Sequence, residues 1–287
     1  MNIAIASGKG GTGKTTLTVN LSAIASEKFP VDVVDCDVEE PDSSLFLNIQ
    51  KTDTEIVTIK IPEIDENACT GCGECDRFCN FNAIISFSGL AHSLPELCHS
   101  CGGCTLVCPE KAITETDRRI GEINTYISEK INILEGVLDI GVSSSPPLIR
   151  TLKGKISPEK FTFLDSPPGT SCPVVTTVTG CDYTVLVTEP TPFGLNDLIL
   201  AVDMMKDVKV DFGVVINRAT TGDNRVKDFC NQNGITILGE IPDDRRVAEV
   251  CSEGKILIHA LPSYRKTFLE ILENIQNQME GTMQWKR

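Results

Sequence analysis

The sequence is poor in aromatic residues and in positive charge. It has one tryptophan and three tyrosines in 287 residues, and its 26 lysines and arginines are outnumbered by 40 aspartates and glutamates, which gives a formal net charge of −14. Because an acidic surface repels phosphate groups, general binding to nucleic acid or to anionic lipid is not expected. Histidine is also scarce, with three residues, which is too few for a histidine-rich metal site.

Long hydrophobic runs are missing as well. The longest apolar stretches have the length of a β-strand, so stable insertion into a membrane is not expected. No basic leader precedes the strand-like run at residues 2–6, and we therefore expect a cytoplasmic protein without a cleaved signal. A hydrophobic content of 41% is ordinary for a globular protein with a sizeable core, which excludes disordered and fibrous classes.

Cysteine, in contrast, is abundant, with thirteen residues. Eight of them form two blocks of the same spacing, Cys69-x2-Cys72-x2-Cys75-x3-Cys79 and Cys98-x2-Cys101-x2-Cys104-x3-Cys108. Each cysteine of the first block recurs 29 positions later in the second block, and so do Ala83 and Ile84. The two blocks are therefore an internal repeat, two copies of one small supersecondary unit.

The spacing of these cysteines is typical of two [4Fe–4S] clusters. In the known ligation pattern, three thiolates of one copy hold a cluster and the fourth cysteine reaches the cluster of the other copy. This pattern predicts one cluster on Cys69, Cys72, Cys75 and Cys108, and the other on Cys98, Cys101, Cys104 and Cys79. The alternatives are structural zinc, which usually takes two separated pairs of ligands, and disulfides, which need an oxidising compartment.

Residues 61–118 resemble the bacterial two-cluster ferredoxins. The resemblance rests on both cysteine blocks and on Pro109 after the last cysteine, and the chain departs from it at Asn80, where a proline often follows. It implies a ferredoxin domain of the α+β class. Because reduction adds negative charge to clusters in an acidic protein, we expect low reduction potentials.

A second motif opens the chain. Residues 8–15 read G-K-G-G-T-G-K-T between an apolar strand and a helical run, which is the context of a phosphate-binding loop. Backbone N–H groups of such a loop surround phosphate oxygens, Lys14 is expected at the β- and γ-phosphates, and Thr15 at Mg²⁺. The residues predicted here to bind ATP are Gly8, Gly10, Gly11, Thr12, Gly13, Lys14, Thr15 and Thr16.

With its additional lysine, Lys9, this loop resembles the deviant Walker A motif of the MinD/ParA/nitrogenase-iron-protein class. The resemblance implies a nucleotide-dependent homodimer in which Lys9 acts on the partner's nucleotide. The segment Asp35-Cys36-Asp37 resembles switch I, which implies that Asp37 positions the attacking water. The apolar run that ends at Asp165 resembles the Walker B strand, which implies that Asp165 binds Mg²⁺ through water.

Two further segments carry the same resemblance. Residues 214–218 resemble the strand whose asparagine contacts adenine, and residues 241–243 resemble the loop over the base, which implies nucleotide binding by Asn217, Arg218, Pro242 and Asp243. The whole chain is thus similar to the MinD/ParA/Mrp superfamily of P-loop ATPases with an inserted ferredoxin domain. Residues 1–60 and 119–287 would form the ATPase domain, and residues 61–118 the insert.

The order of the apolar segments fits this resemblance. Strand-like runs alternate with helical patterns, at 2–6, 31–35, 161–165, 183–187, 211–216 and 236–240. The alternation predicts an α/β fold, a mostly parallel sheet with helices on both faces. Residues 54–62 and 122–134 are predicted as added strands around the insert, and the tail 261–279 as a helix that packs on the sheet rather than on a membrane.

Five cysteines lie outside the two blocks. Cys36, Cys181, Cys230 and Cys251 are interpreted as small buried hydrophobic residues. Cys172 differs, since it begins the helix after the Walker B segment at the offset of a cluster cysteine in the nitrogenase iron protein. It is a speculative ligand of a labile bridging cluster or metal, and residues 136–160 offer no second cysteine for it.

Three functions agree with these features. The first hypothesis is a slow, partner- or dimer-stimulated ATPase that couples MgATP to electron transfer through two clusters toward a partner metalloenzyme. The second is an ATP-dependent carrier of iron–sulfur clusters or metal cofactors, similar to the Mrp-type ATPases, that uses Cys172. The third, a positioning ATPase of the MinD/ParA sort, is disfavoured by the acidic balance of the chain.

Overall fold

The computed structural model describes residues 1–285, with side chains described as far as Met279. The chain divides into two compact units. Unit 1 comprises Met1–Thr54, Ile123–Val137 and Ile149–Arg287, and unit 2 comprises Glu55–Glu122 and Leu138–Leu148. Unit 2 therefore contains the cysteine-rich residues 61–118 and takes further residues from both of their flanks.

Parallel β-strands form the centre of unit 1. In chain order the strands are β1 (Asn2–Ala6), β2 (Val31–Asp35), β3 (Lys51–Ile64), β4 (Ile84–Phe87), β5 (Leu90–Ser93), β6 (Ile113–Ile127), β7 (Ile131–Leu138), β8 (Phe161–Asp165), β9 (Tyr183–Thr188), β10 (Phe212–Ile216) and β11 (Ile237–Glu240). Over residues 1–285, nine of them form a sheet in the order β11-β10-β9-β1-β8-β2-β7-β6-β3. Every pairing from β11 to β7 is parallel.

The helices connect these strands. They are α1 (Lys14–Ala25), α2 (Ser43–Leu47), α3 (Glu74–Phe78), α4 (Gly103–Val107), α5 (Pro146–Lys153), α6 (Cys172–Val178), α7 (Pro192–Val208), α8 (Arg225–Gln232), α9 (Arg245–Ser252), α10 (Leu257–Ala260) and α11 (Arg265–Trp285). α7 illustrates how the sequence begins a helix. The side chain of Thr191 accepts a hydrogen bond from the N–H of Gly194 at 3.0 Å, and Pro192 occupies the first helical position, where its missing N–H costs nothing.

The central strands of unit 1, β1, β2, β8, β9 and β10, are mostly apolar and buried because the sheet is covered on both faces here. Ile3 of β1 packs in one core with Leu17 of α1 and Phe268 of α11. Ala4, the next residue of β1, points to the opposite face and is fully buried as well. The sequence therefore shows continuous apolar runs here, instead of the alternation of polar and apolar residues that a sheet with one solvent-exposed face has.

Unit 2 repeats its backbone as well as its sequence. α3 and α4 lie 29 residues apart at both ends, and β4 begins 29 residues before β6. Left-handed backbone conformation recurs at the same offset, at Gly71 and Ser100, Gly73 and Gly102, and Asn82 and Lys111. A Cβ atom on Gly71 would collide with the carbonyl of Gly89, so this turn requires glycine. The two copies are thus alike in structure, and α3 packs against α4.

The predicted α/β class and the six predicted parallel strands are confirmed, with bounds that differ by at most one residue at either end. The added strand predicted at 122–134 is wrong in detail. Two strands, β6 and β7, occupy this region, and the turn between them includes Ser128, whose hydroxyl accepts a hydrogen bond from the N–H of Ile131 at 3.0 Å. The alternation of polar and apolar residues does not reveal such a turn, since it has neither glycine nor proline.

The predicted packing of the C-terminal tail is confirmed as far as its side chains are described. Five apolar residues of α11 are buried, namely Phe268, Ile271, Leu272, Ile275 and Met279. Among the residues described, none of the helices combines the length and the apolar character needed to cross a bilayer.

A large-to-small substitution in β8 tests the central position of this strand. Phe163 is fully buried, with its ring 5.1 Å from that of Phe161, so Phe163→Ala is expected to lower the free energy of unfolding by about 3–5 kcal/mol. Urea denaturation measures the change. Leu200→Ala on the exposed side of α7 is the control, with an expected change within about 0.5 kcal/mol. Equal losses in both variants would contradict the assigned core.

Candidate functional site

The loop between β1 and α1 presents backbone N–H groups at the start of a helix. Gly13 precedes α1 with a φ of 94°, in the left-handed region that favours glycine. A Cβ atom there would lie 2.6 Å from Nδ2 of Asn217, so a side chain would displace Asn217 as well. The first N–H groups of a helix have no acceptor within the helix, and this end of the helix is positive, so the start of α1 suits a phosphate.

A cavity of about 830 Å³ opens at this loop. The predicted site residues on its wall are Gly10, Gly11, Gly13, Lys14, Thr15, Thr16, Asp37, Asn217, Arg218, Pro242 and Asp243. Four segments that are distant in sequence thus meet around one space. Gly8, Lys9, Thr12 and Asp165 are not part of the described lining, although Asp165 lies behind it, within hydrogen-bonding reach of Thr15.

The far side of the cavity is tied to the phosphate loop. Asn217 follows β10, and its Nδ2 donates to the carbonyl of Thr12 at 2.8 Å. The N–H of Asp243 donates to the hydroxyl of Thr220 at 3.0 Å, which fixes the loop after β11. The hydrogen bond of Asn217 thus fixes the segment after β10 to the phosphate loop, and the hydrogen bond of Asp243 fixes the loop after β11 to that segment.

Lys9 forms an ion pair within its own chain. Its Nζ lies 2.8 Å from Oε2 of Glu189, and Nη1 of Arg218 lies 2.7 Å from the other oxygen of the same carboxylate. The side chain of Glu189 is 9% exposed, so this carboxylate needs both cations. The trans-acting role of Lys9 stays a prediction. Glu189 was not singled out as a site residue, although its position directly after β9 was a usable signal.

Asp35 organises the loop after β2. Its carboxylate accepts hydrogen bonds from the N–H groups of Asp37, Asp42 and Ser43 at 3.1, 3.0 and 2.9 Å. Burial, together with the negative charge of Asp165, raises the pKa of Asp35 well above its usual range. The loop from Asp37 to Asp42 is therefore folded around one buried carboxyl group, and it carries three further acids, Asp37, Glu40 and Asp42, to the wall of the cavity.

These acids are destabilised as anions. Burial raises the pKa of Asp37 to about 6, although Lys14 opposes the shift. Burial also raises the pKa of Asp42 and of Asp165, and in both cases the nearby hydroxyl of Thr15 opposes the shift. Oδ1 of Asp165 is buried and has no hydrogen-bond partner in the described part of the chain. The oxygen donors around Thr15 and Asp165 therefore fit Mg²⁺, which prefers carboxylate and hydroxyl oxygen.

In unit 2, the structure brings the predicted cysteine quartets together. One cavity is lined by Cys69, Cys72, Cys75 and Cys108, and a second by Cys79, Cys98, Cys101 and Cys104. Each cavity takes three cysteines from one copy of the repeat and one from the other. A set of four thiols is a complete ligand set for a [4Fe–4S] cluster, so the residues present fit that group.

Hydrogen bonds to sulfur repeat between the two copies. The N–H of Ala83 donates to Sγ of Cys79 at 3.3 Å, and the N–H of Ala112 donates to Sγ of Cys108 at the same distance. Burial raises the pKa of the Cys104 thiol to about 11, and the neighbouring sulfurs Cys98 and Cys101 add to this effect. A cation bound at these sulfurs would favour their deprotonation, which is the usual coupling of metal binding to thiol ionisation.

The other cysteines differ in their surroundings. Cys36 and Cys230 are buried, as interpreted, whereas Cys172 is exposed at the first position of α6. Cys251 is only partly buried, lines the nucleotide cavity, and places Sγ 3.5 Å from the hydroxyl of Thr16. Its interpretation as a buried hydrophobic residue is therefore wrong, because the pairing of α9 with α1 is a tertiary contact that no local pattern reveals.

Known proteins are similar to this chain in sequence over most of its length. The model of the CobQ/CobB/MinD/ParA nucleotide binding domain matches residues 3–258. An uncharacterized protein of Methanocaldococcus jannaschii is 30% identical over 283 residues, which cover 96% of each chain. An iron–sulfur cluster carrier protein of Pyrococcus furiosus is 26% identical over 295 residues, which cover 97% of this chain and 86% of the relative.

A solved structure shares the fold. The septum site-determining protein MinD of Pyrococcus horikoshii, complexed with Mg-ADP, has a TM-score of 0.59 at 22% identity, with 96% of this chain and 95% of that chain covered. At this identity the similarity supports the fold alone. The family model, in contrast, spans most of the sequence, from β1 to α10. The chain therefore belongs to the CobQ/CobB/MinD/ParA family within the MinD/ParA/Mrp superfamily, and it is a P-loop ATPase.

Proposed function

We propose that this ATPase is an iron–sulfur protein in which each cysteine quartet holds one [4Fe–4S] cluster. The observation that carries the proposal is the lining of two separate cavities by the two sets of four cysteines predicted from the spacing. A zinc site would not need one of its four ligands to come from the other copy of the repeat. In this proposal, residues 61–118 form a ferredoxin domain inserted between the ATPase segments 1–60 and 119–287.

The biological role that we favour is ATP-dependent carriage of iron–sulfur clusters. The Pyrococcus relative described as an iron–sulfur cluster carrier aligns with nearly the whole chain, and this supports carriage better than it supports electron transfer. The cargo would bind at Cys172, since this thiol is exposed and follows Asp165 by seven residues. A second ligand would come from a partner copy or from the acceptor protein.

Electron transfer to a partner metalloenzyme is the second candidate. It is favoured by the completeness of both quartets, because a cluster with four protein thiolates has no open position for exchange and is suited to move electrons instead. The two roles differ in what leaves the protein. Carriage removes iron and sulfide from the chain, whereas electron transfer changes only the oxidation state of clusters that stay.

The ATPase cycle would use a nucleotide-dependent homodimer. Lys9 would leave Glu189 and stabilise charge on the partner's phosphates, as a positive side chain supplied in trans does in other P-loop enzymes. Asp37 would position the attacking water, and Thr15 and Asp165 would hold Mg²⁺. Free thiols and oxygen-labile clusters fit a reducing cytoplasm, which is the compartment that we propose.

Two lysine substitutions separate ATP binding from hydrolysis. Lys14 is buried at the wall of the cavity and is expected to bind the β- and γ-phosphates. Lys14→Ala is therefore expected to abolish ATP binding. Lys9→Ala is expected to keep the ATP affinity and to lower the turnover by at least about 10²-fold, since it removes charge stabilisation of the transferred phosphoryl group. Calorimetric titration and phosphate release measure the two effects, with the exposed Lys28→Ala as control. If the Lys9→Ala variant turns over ATP as fast as the parent protein, the proposed trans-acting role of Lys9 is wrong.

The quartets can be tested one at a time by metal analysis. Cys101→Ser removes one ligand of the second cavity, so the anaerobically purified variant is expected to hold about half of the iron and sulfide of the parent protein. Cys181→Ser lies outside both quartets and is expected to keep the full content. Zinc in place of iron, or equal losses in both variants, would contradict the two-cluster proposal.

A transfer assay decides between carriage and electron transfer. The protein, reconstituted anaerobically with iron and sulfide, is mixed with an apo-ferredoxin with and without MgATP, and iron in the acceptor is measured after separation. Carriage predicts ATP-dependent transfer that Cys172→Ser abolishes and Cys181→Ser preserves. If no iron moves, while the reduced protein passes electrons to an intact acceptor cluster, electron transfer replaces carriage as the function.

A further inference from the structure

The loop after β2 brings a third carboxylate to the strand ends that carry Asp35 and Asp165. Asp35 and Asp165 are partners in the parallel register of β2 and β8. Because Oδ2 of Asp35 accepts the N–H groups of both Asp42 and Ser43, the backbone at Asp42 is fixed beside this pair. Carboxylate oxygens of Asp35, Asp42 and Asp165 consequently lie within 4.8 Å of one another.

One oxygen of this group is left unsatisfied. Asp165 is 1% exposed, and its Oδ2 accepts from the hydroxyl of Ser43 at 3.5 Å, whereas its Oδ1 has no partner in the described chain. A buried carboxylate oxygen without a donor is costly, because it loses its hydration and gains nothing in return. A cation bound at Oδ1 would remove this cost.

The surrounding groups are oxygen donors that suit a hard cation. The hydroxyl of Thr15 lowers the pKa of both Asp42 and Asp165, so it lies close to these two carboxylates. Glu135 of β7 adds negative charge that acts on Asp42, and its buried Oε2 is unpartnered within the described residues, while Oε1 accepts from the hydroxyl of Tyr126 at 2.9 Å. Lys14 is the positive side chain that acts on Asp37, Asp42 and Asp165 alike.

We infer that Asp42 is a direct ligand of a divalent-cation site, shared with Asp165 and Thr15, that binds Mg²⁺ or Mn²⁺ before the nucleotide arrives. Three oxygen-bearing side chains within reach of one another form a site of their own, whereas a P-loop that contributes one hydroxyl needs nucleotide oxygens to hold its metal. The metal ion would then already be bound at the ATP site, instead of entering the site together with the nucleotide. This inference does not depend on the iron–sulfur proposal.

Titration of the nucleotide-free, full-length protein with Mn²⁺ tests the inference, because the electron paramagnetic resonance signal of free Mn²⁺ reports how much remains unbound. The parent protein is expected to bind one Mn²⁺ per chain without nucleotide. Asp42→Asn keeps the size of the side chain and an oxygen for Thr15, and it is expected to weaken Mn²⁺ binding by about tenfold or more. The control Glu39→Gln changes an exposed acid of the same loop and is expected to bind as the parent does.

Two results would overturn the inference. If the parent protein binds Mn²⁺ only after a nucleotide is added, the metal arrives with the nucleotide and the carboxylates are neutralised by protons instead. If Asp42→Asn binds Mn²⁺ as tightly as the parent, Asp42 is not a ligand, and any Mn²⁺ found lies elsewhere, for example at the cysteine cavities. ADP affinity measured in the presence of a chelator verifies that Asp42→Asn keeps a folded nucleotide site.

Discussion

The parallel register of the central strands is the constraint on which the rest of the structure depends. In β2 and its neighbours β7 and β8, the register aligns Asp35 with Glu135 and with Asp165, so three buried acids meet at one edge of the sheet. β1 ends at the same edge and leads into the phosphate loop. Parallel strands connected by helices always bring their carboxyl ends together, which is why ligands bind there in open α/β sheets.

Such an edge concentrates negative charge that the fold has to tolerate. Unit 1 keeps five acids near one another, at 35, 37, 42, 135 and 165, with Lys14 as the lysine that acts on several of them. Ionised carboxylates in a low-dielectric interior repel one another unless they are protonated or paired with a cation. Phosphates of a nucleotide add to the negative charge. Metal binding and nucleotide binding are therefore linked by electrostatics in this site, whichever of the two binds first.

Local pattern was sufficient to predict those parts of the site that lie next to their own strand in sequence. The phosphate loop, Asp165 and Asn217 each follow an apolar run directly, so strand prediction also locates them at the ligand-binding edge. Asp42 is not evident from local pattern, because a hydrogen bond to Asp35 seven residues earlier makes it a site residue. Glu189 follows β9 directly and was identifiable by that position, whereas its ion pair with Lys9 is a tertiary contact that the sequence does not show. The hairpin of β6 and β7 was missed for a different reason, since the turn between these consecutive strands contains neither glycine nor proline.

The exchange of one cysteine between the two copies of the repeat bears on what this protein can release. Cys79 belongs to the first copy and lines the second cavity, and Cys108 belongs to the second copy and lines the first. Removing a cluster from either cavity would leave partly buried thiols in both copies, and burial already raises the pKa of Cys75, Cys98 and Cys104. Clusters in these cavities would therefore be resident groups under either proposed role. A transferable cluster needs a site that it can leave at little cost in free energy. Among the described cysteines outside the quartets, Cys172 is the exposed one.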